Sequence, residues 1–175
     1  MVAEIIKVYK ESHPALRLIG RRYTNEDRNE HGMFSDKWGE LLGGDFFARL
    51  REHATPDSVN EGAAIGICGS KSNGGAGEFE YWIGMLFPEG TPDLEGFDSA
   101  DIPASEVGVC LVKGTEPDVY MQSQRCYGAL AAAGFAVPQD MADMGRWWEF
   151  ERYTERFDEK DAEGNSVLDI CVYLK

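Results

Sequence analysis

Val107-Gly108-Val109-Cys110-Leu111-Val112 is an unbroken apolar run, and Gly114-Thr115-Glu116-Pro117-Asp118 follows it almost at once. The run reads as a strand within residues 103–113, and the segment after it as the start of a helix. Pro117 falls in the first helical turn, where its missing N–H costs nothing. This helix carries Tyr120, Ser123, Tyr127, Leu130 and Ala131 on one side and closes at Gly134. Beyond Pro138, residues 147–156 and 166–174 read as two further strands, joined over 158–165 by an acidic turn. A calcium loop there would need a liganding spacing and a closing glutamate that Asp158, Asp161 and Glu163 do not provide.

The same order is legible upstream. Residues 15–23 form a strand entered after Pro14, 25–33 a polar loop, and the spacing of Phe34, Trp38, Leu41, Leu42, Phe46, Phe47 and Leu50 a helix. Ser35 is the expected N-cap, and Gly43-Gly44 is a place to kink or split the helix. Strands at 63–68 and 79–87 follow, with Asn73-Gly74 as the hairpin signal between them. The glycines around that turn do not make a phosphate loop, because no Walker lysine follows and the next element is a strand. Residues 88–102, rich in Pro, Gly and Asp, read as a connector. The whole is α+β: two β-α-β-β units, about 14–88 and 102–175, repeating at a period of about ninety residues. They are expected to share one antiparallel sheet, with two helices on one face and a central cleft, in a single domain spanning 1–175.

Composition narrows the function. Of 175 residues, 17 are Lys or Arg and 31 are Asp or Glu, a net charge of −14. A nucleic-acid surface needs a basic face, so direct DNA or RNA binding is not expected, and a site built on these acids favours a cation. The 43% of hydrophobic residues suffices for a core. Cys68, Cys110, Cys126 and Cys171 show no CxxC, and His13, His31 and His53 stand in polar, loop-like or terminal contexts; no metal and no cofactor are expected, the thiols serving as reduced, mostly buried fillers. No signal peptide or membrane-length apolar run is present, which points to the cytoplasm and away from a membrane partner.

Trp147-Trp148-Glu149-Phe150-Glu151-Arg152-Tyr153 is the most informative stretch for chemistry. Strict alternation puts Trp147, Glu149, Glu151 and Tyr153 on one face. Two acids between large aromatics make a cation receptor if that face lines a cleft: ring faces attract the charge and a carboxylate neutralises it. Phe34 and Trp38 on the first helix, Tyr120 and Tyr127 on the second, and Trp82 or its neighbour Tyr81 on a strand are candidate walls; adjacent Tyr81 and Trp82 cannot both face the cleft. No nucleophile motif such as Gly-x-Ser-x-Gly is present, and Glu149 and Glu151 are not placed like a glycosidase pair.

Ile102-Pro103-Ala104-Ser105-Glu106, the strand ending Val112-Lys113-Gly114, and Phe150-Glu151-Arg152-Tyr153 ahead of a last strand together resemble the GyrI-like small-molecule-binding domain. That superfamily includes effector-binding domains of AraC- and MerR-type multidrug regulators and DNA gyrase inhibitory proteins. The resemblance implies a bacterial drug-like-ligand binder with paired βαββ units, the architecture called SHS2, around a pocket with an inward-facing glutamate, which falls on Glu151. With Met1 leading almost directly into the first strand, a stand-alone binder of a cationic or aromatic small molecule is expected. Two alternatives accompany the resemblance. One is a hydrolase of an electrophilic ligand, like the cyclopropanoid cyclopropyl hydrolases, with Glu151 as its catalytic acid or base and Tyr153 or Trp147 in support. The other is a protein partner such as gyrase.

Overall fold

The apolar run at 107–112 lies at the centre of a ten-residue strand hydrogen-bonded along both edges, and its side chains enter cores on both faces of the sheet, Val107 and Val109 on one and Cys110 and Val112 on the other. The computed structural model describes residues 3–55, 63–72 and 77–175. In chain order the elements are β1 (Glu4–His13), β2 (Leu16–Tyr23), α1 (Ser35–Leu42), α2 (Phe46–Glu52), β3 (Ala64–Ser70), β4 (Phe79–Pro88), β5 (Asp98–Ile102), β6 (Ser105–Gly114), α3 (Ser123–Ala132), β7 (Trp147–Tyr153), the single turn α4 (Glu155–Asp158) and β8 (Ser166–Tyr173). The fold is α+β. All eight strands form one antiparallel sheet of order β1-β6-β8-β7-β3-β4-β2-β5. The Asn73-Gly74 turn lies outside the described residues, but β3 and β4 pair antiparallel on either side of it.

Two strands depart from the sequence expectation, and both are sheet edges. β1 lies ahead of the first strand expected at 15–23, and β5 occupies the end of the supposed connector. An edge strand is paired on one side only and is commonly charged, which discourages pairing with other chains. Lys7, Lys10 and Glu11 in β1 and Asp98 and Asp101 in β5 therefore hide strands behind loop-like composition. A bulge between Ile5 and Lys7 breaks the alternation of β1 as well. His13, expected in a loop-like or terminal context, ends β1 buried, its ring 6.0 Å from that of Phe150.

The first helix does split at Gly43-Gly44, α2 restarting after Asp45 with Phe46, Phe47 and Leu50 buried. Its start differs from expectation: the N-cap is Phe34, not Ser35. Phe34 stacks on Tyr81 at 4.4 Å, almost parallel, so ring packing rather than a hydroxyl fixes where α1 begins. In the second half, Pro117 precedes a short 3-10 turn over Asp118–Met121, so Tyr120 belongs to that turn and α3 starts later than the spacing suggested. Gly134 does close α3, in the left-handed region at φ 87°.

Two clusters lie on the face of the sheet that the helices cover. One joins Phe46, Phe47 and Leu50 to Tyr81, Ile83 and Met85; the other joins Cys126 and Leu130 of α3 to Cys110, Val112, Leu168 and Ile170. Tyr153 of β7 packs against both. The opposite face carries its own core, in which Leu16, Ile102, Val109, Trp82, Trp147, Phe150 and Tyr173 meet. Residues from distant strands touch there: the Trp147 indole N–H donates to the Asp101 carbonyl of edge strand β5 at 3.4 Å. The sheet therefore curls around that second core. All four cysteines are free thiols, three of them buried and Cys68 partly so.

Candidate functional site

Glu149 and Glu151 stand on β7, next to β3 in the middle of the sheet. The pairing of β7 with β3 is regular from Tyr153 to Glu149 and then shifts: Cys68 opposes Glu149, and Gly69 opposes Trp147. Trp148 is the extra residue of a β-bulge. The bulge reverses the facing of both tryptophans relative to strict alternation. Trp147, expected beside the two acids, is buried in the core on the other face, 6.3 Å from the Trp82 ring. Trp148 faces the helix side instead, 5.9 Å from Phe79. Gly69 permits this, because a Cβ there would lie 2.7 Å from the Arg146 carbonyl and 2.9 Å from the Trp147 ring. Trp82 is likewise on the other face, with Tyr81 alone turned toward the acids.

Around Glu151 the geometry is tight. The Tyr153 hydroxyl donates to its Oε2 at 2.7 Å, and the Tyr81 hydroxyl makes a longer contact of 3.5 Å to the same oxygen. The Trp38 indole N–H donates to the Tyr81 hydroxyl at 3.0 Å, so three aromatic side chains from α1, β4 and β7 converge on one carboxyl group. Gly66 lies beneath them; a Cβ there would sit 2.5 Å from the Tyr81 hydroxyl and 3.2 Å from Glu151 Oε2. Burial pushes the Glu151 carboxyl up to about 7, helped by the neighbouring Glu149 charge and opposed by the two tyrosine hydroxyls. Glu149 is also raised by burial, against the Ser123 hydroxyl, which donates to it at 2.8 Å, and that of Tyr127. Among the described residues neither carboxylate makes an ion pair.

Glu149 opens into a cavity of about 710 Å³ on the helix side, walled by Tyr127, Trp148, Phe79 and Cys68 and lined also by Met141 and Met144 from the segment before β7. The structure thus gathers Glu151, Tyr153 and Trp38 into one group, with Glu149 and Tyr127 beside it at the cavity. Phe34 stands behind Tyr81, and Tyr120 is a layer away, its hydroxyl on Glu116 and its ring 6.2 Å from Phe157. Trp148, Phe79, Met141 and Met144 escaped the sequence reading. A glycine opposite the tryptophan pair, Gly69, is the one local sign of the bulge that places Trp148 here.

Residues 7–175 match the family described as the GyrI-like small molecule binding domain, and the chain belongs to that family. It is 29% identical over 161 residues to the transcriptional regulator BrlR of Pseudomonas aeruginosa, covering 91% of this chain and 52% of that protein. The chain therefore spans about half the length of this curated relative. Among solved structures, a transcription regulation protein from Staphylococcus aureus MU50 superimposes with a TM-score of 0.66 at 15% identity, covering 97% of this chain and 98% of that one. The structure of SAV2435 bound to tetraphenylphosphonium gives 0.67 at 15% identity, covering 97% and 94%. The C-terminal domain of EcmrR gives 0.58 at 10%, covering 97% of each. Among the described residues no helix is long and apolar enough to cross a membrane.

Proposed function

We propose that this domain captures a lipophilic aromatic cation on the helix side of β7, with Glu149 and Glu151 supplying negative charge and Trp38, Tyr81, Tyr127, Trp148 and Tyr153 the aromatic surroundings. The observation that carries this reading is the pair of partly buried carboxylates, side by side on one strand face, that have aromatic hydroxyls and an indole around them and, among the described residues, no ion-pair partner. A buried charge without a partner is costly, and a desolvated organic cation stacked on aromatic faces relieves that cost. The binding of tetraphenylphosphonium by SAV2435, which shares the fold, supports the ligand class. We read the sheet order as two units, about 14–88 and 102–175, meeting at the β3–β7 seam where the acids stand: β6-β8-β7 mirrors β2-β4-β3, and β1 and β5 are added at the edges. A single domain with its site on the internal seam is the arrangement this supports.

Tryptophan-fluorescence titration with tetraphenylphosphonium tests the proposal. Wild type should show saturable quenching, weakened at least fivefold in Glu149→Gln and in Glu151→Gln. Equal quenching in all three proteins would remove both acids from the binding site. Consumption of an electrophilic ligand, lost in Glu151→Gln, would instead favour a hydrolase built on the same group.

A further inference from the structure

The lining of the cavity beside Glu149 also carries a positive charge. Arg28 lines it together with Cys68, Phe79, Trp148 and Glu149. Arg28 follows a 3-10 turn over Asn25–Asp27 whose N-cap, Thr24, accepts from the Glu26 N–H, while its own N–H donates to Asp27. Its Nε donates to Asn25 Oδ1 at 2.9 Å and its Nη1 to the Gly32 carbonyl at 2.5 Å, both neutral acceptors. The guanidinium lies 4.7 Å from the ring centroids of both Phe34 and Phe79, within cation–π range of each. Among the described residues it makes no ion pair, in a chain that carries 31 acids. The Trp148 ring, 5.9 Å from that of Phe79, lines the same cavity. The Cys68 thiol, in the same lining, is acted on with opposite sign by the Glu149 carboxylate and the Arg28 guanidinium.

We infer that the ligand of this cavity is an aromatic zwitterion, with its cationic group at Glu149 and a carboxylate or similar anion taken by Arg28. This rests on the reading of the cavity as a cation receptor and narrows its ligand class. A planar guanidinium with unused N–H groups pairs with a carboxylate through two parallel hydrogen bonds, which a bare organic cation cannot use. For a purely cationic ligand Arg28 is a repulsive neighbour, so one residue raises affinity for the zwitterion and lowers it for the cation.

Rhodamine 110, which carries a free carboxylate, and rhodamine 123, its methyl ester, differ only at that group and can be titrated by fluorescence anisotropy at low salt. Wild type should bind rhodamine 110 at least fivefold more tightly than rhodamine 123. Arg28→Gln should abolish the preference by weakening rhodamine 110 while leaving rhodamine 123 equal or tighter, a selective loss that misfolding cannot produce. Glu149→Gln should weaken both dyes and keep their ratio. Rhodamine 123 bound as tightly as rhodamine 110 in wild type, or a ratio unmoved by Arg28→Gln, overturns the anion site alone if Glu149→Gln still weakens binding. Absence of saturable binding by either dye overturns the cation receptor and the zwitterion together.

Discussion

Glu151 holds its proton more tightly in the folded chain than an exposed carboxyl does, because burial around Tyr81, Tyr153 and Trp38 disfavours the charged form. The consequence for stability has a definite sign. With the folded value about 7 against an ordinary 4.5, the proton's contribution is fully present below about 4.5 and is lost as the pH rises through about 7. Glu151→Gln keeps the neutral shape and hydrogen-bonding reach without the charge. It should therefore match wild type near pH 4 and be more stable near pH 9 by on the order of 2 kcal/mol, discounted for partial exposure. Thermal denaturation at the two pH values checks this; a variant less stable at pH 9 than wild type would mean that the ionised carboxylate is well solvated. The placing of Tyr153 on the same strand face as Glu151 was legible in the sequence, whereas the contact with Tyr81 was not, since Tyr81 lies 70 residues away.

At the scale of the element, β7 shows where pattern reading succeeds and where it fails. Period-two alternation placed Glu149, Glu151 and Tyr153 together correctly, because the ladder from Cys68↔Glu149 to Ala64↔Tyr153 is regular. It misplaced Trp147 because one bulge residue inverts everything before it, and a bulge leaves its mark on the partner strand, at Gly69. Gly69→Val should force the Arg146 backbone away, cost about 1–3 kcal/mol and disturb the two tryptophans. Urea unfolding with near-ultraviolet circular dichroism would show both effects; an unchanged aromatic spectrum would mean that the bulge persists without the glycine. Edge strands β1 and β5 escaped the reading for a related reason, since their charged residues satisfy the rules for a loop as well as for a sheet edge.

For the whole molecule, curling brings together residues that no local pattern connects. Behind the site strand, on the face opposite the acids, buried Arg152 donates to Asp169 of β8 at 2.8 Å and to Glu11 of edge strand β1 at 2.9 Å. His13 and Arg152 together hold the Glu11 carboxyl down at about 2. Asp169 is fully buried and also takes Arg156, so it ties β7, β8 and the turn between them. Asp169→Ala leaves guanidinium groups without their buried counter-charge and should destabilise the fold by about 3–5 kcal/mol, measurable by urea denaturation. A loss below about 1 kcal/mol would mean that Glu11 alone compensates. The α+β class and the single sheet were legible from the order of elements; the curl was not, because it depends on contacts such as Trp147 with Asp101 between strands far apart in the sheet.

The central claim is that the acids of β7 receive a cation, and its most direct test is calorimetric titration with tetraphenylphosphonium at pH 6 and pH 8. A cation favours ionised Glu151, whose carboxyl titrates at about 7, so binding should tighten on the order of tenfold from pH 6 to pH 8 and release a proton at the lower pH. Affinity independent of pH, with no proton released and no change in Glu151→Gln, would contradict the account.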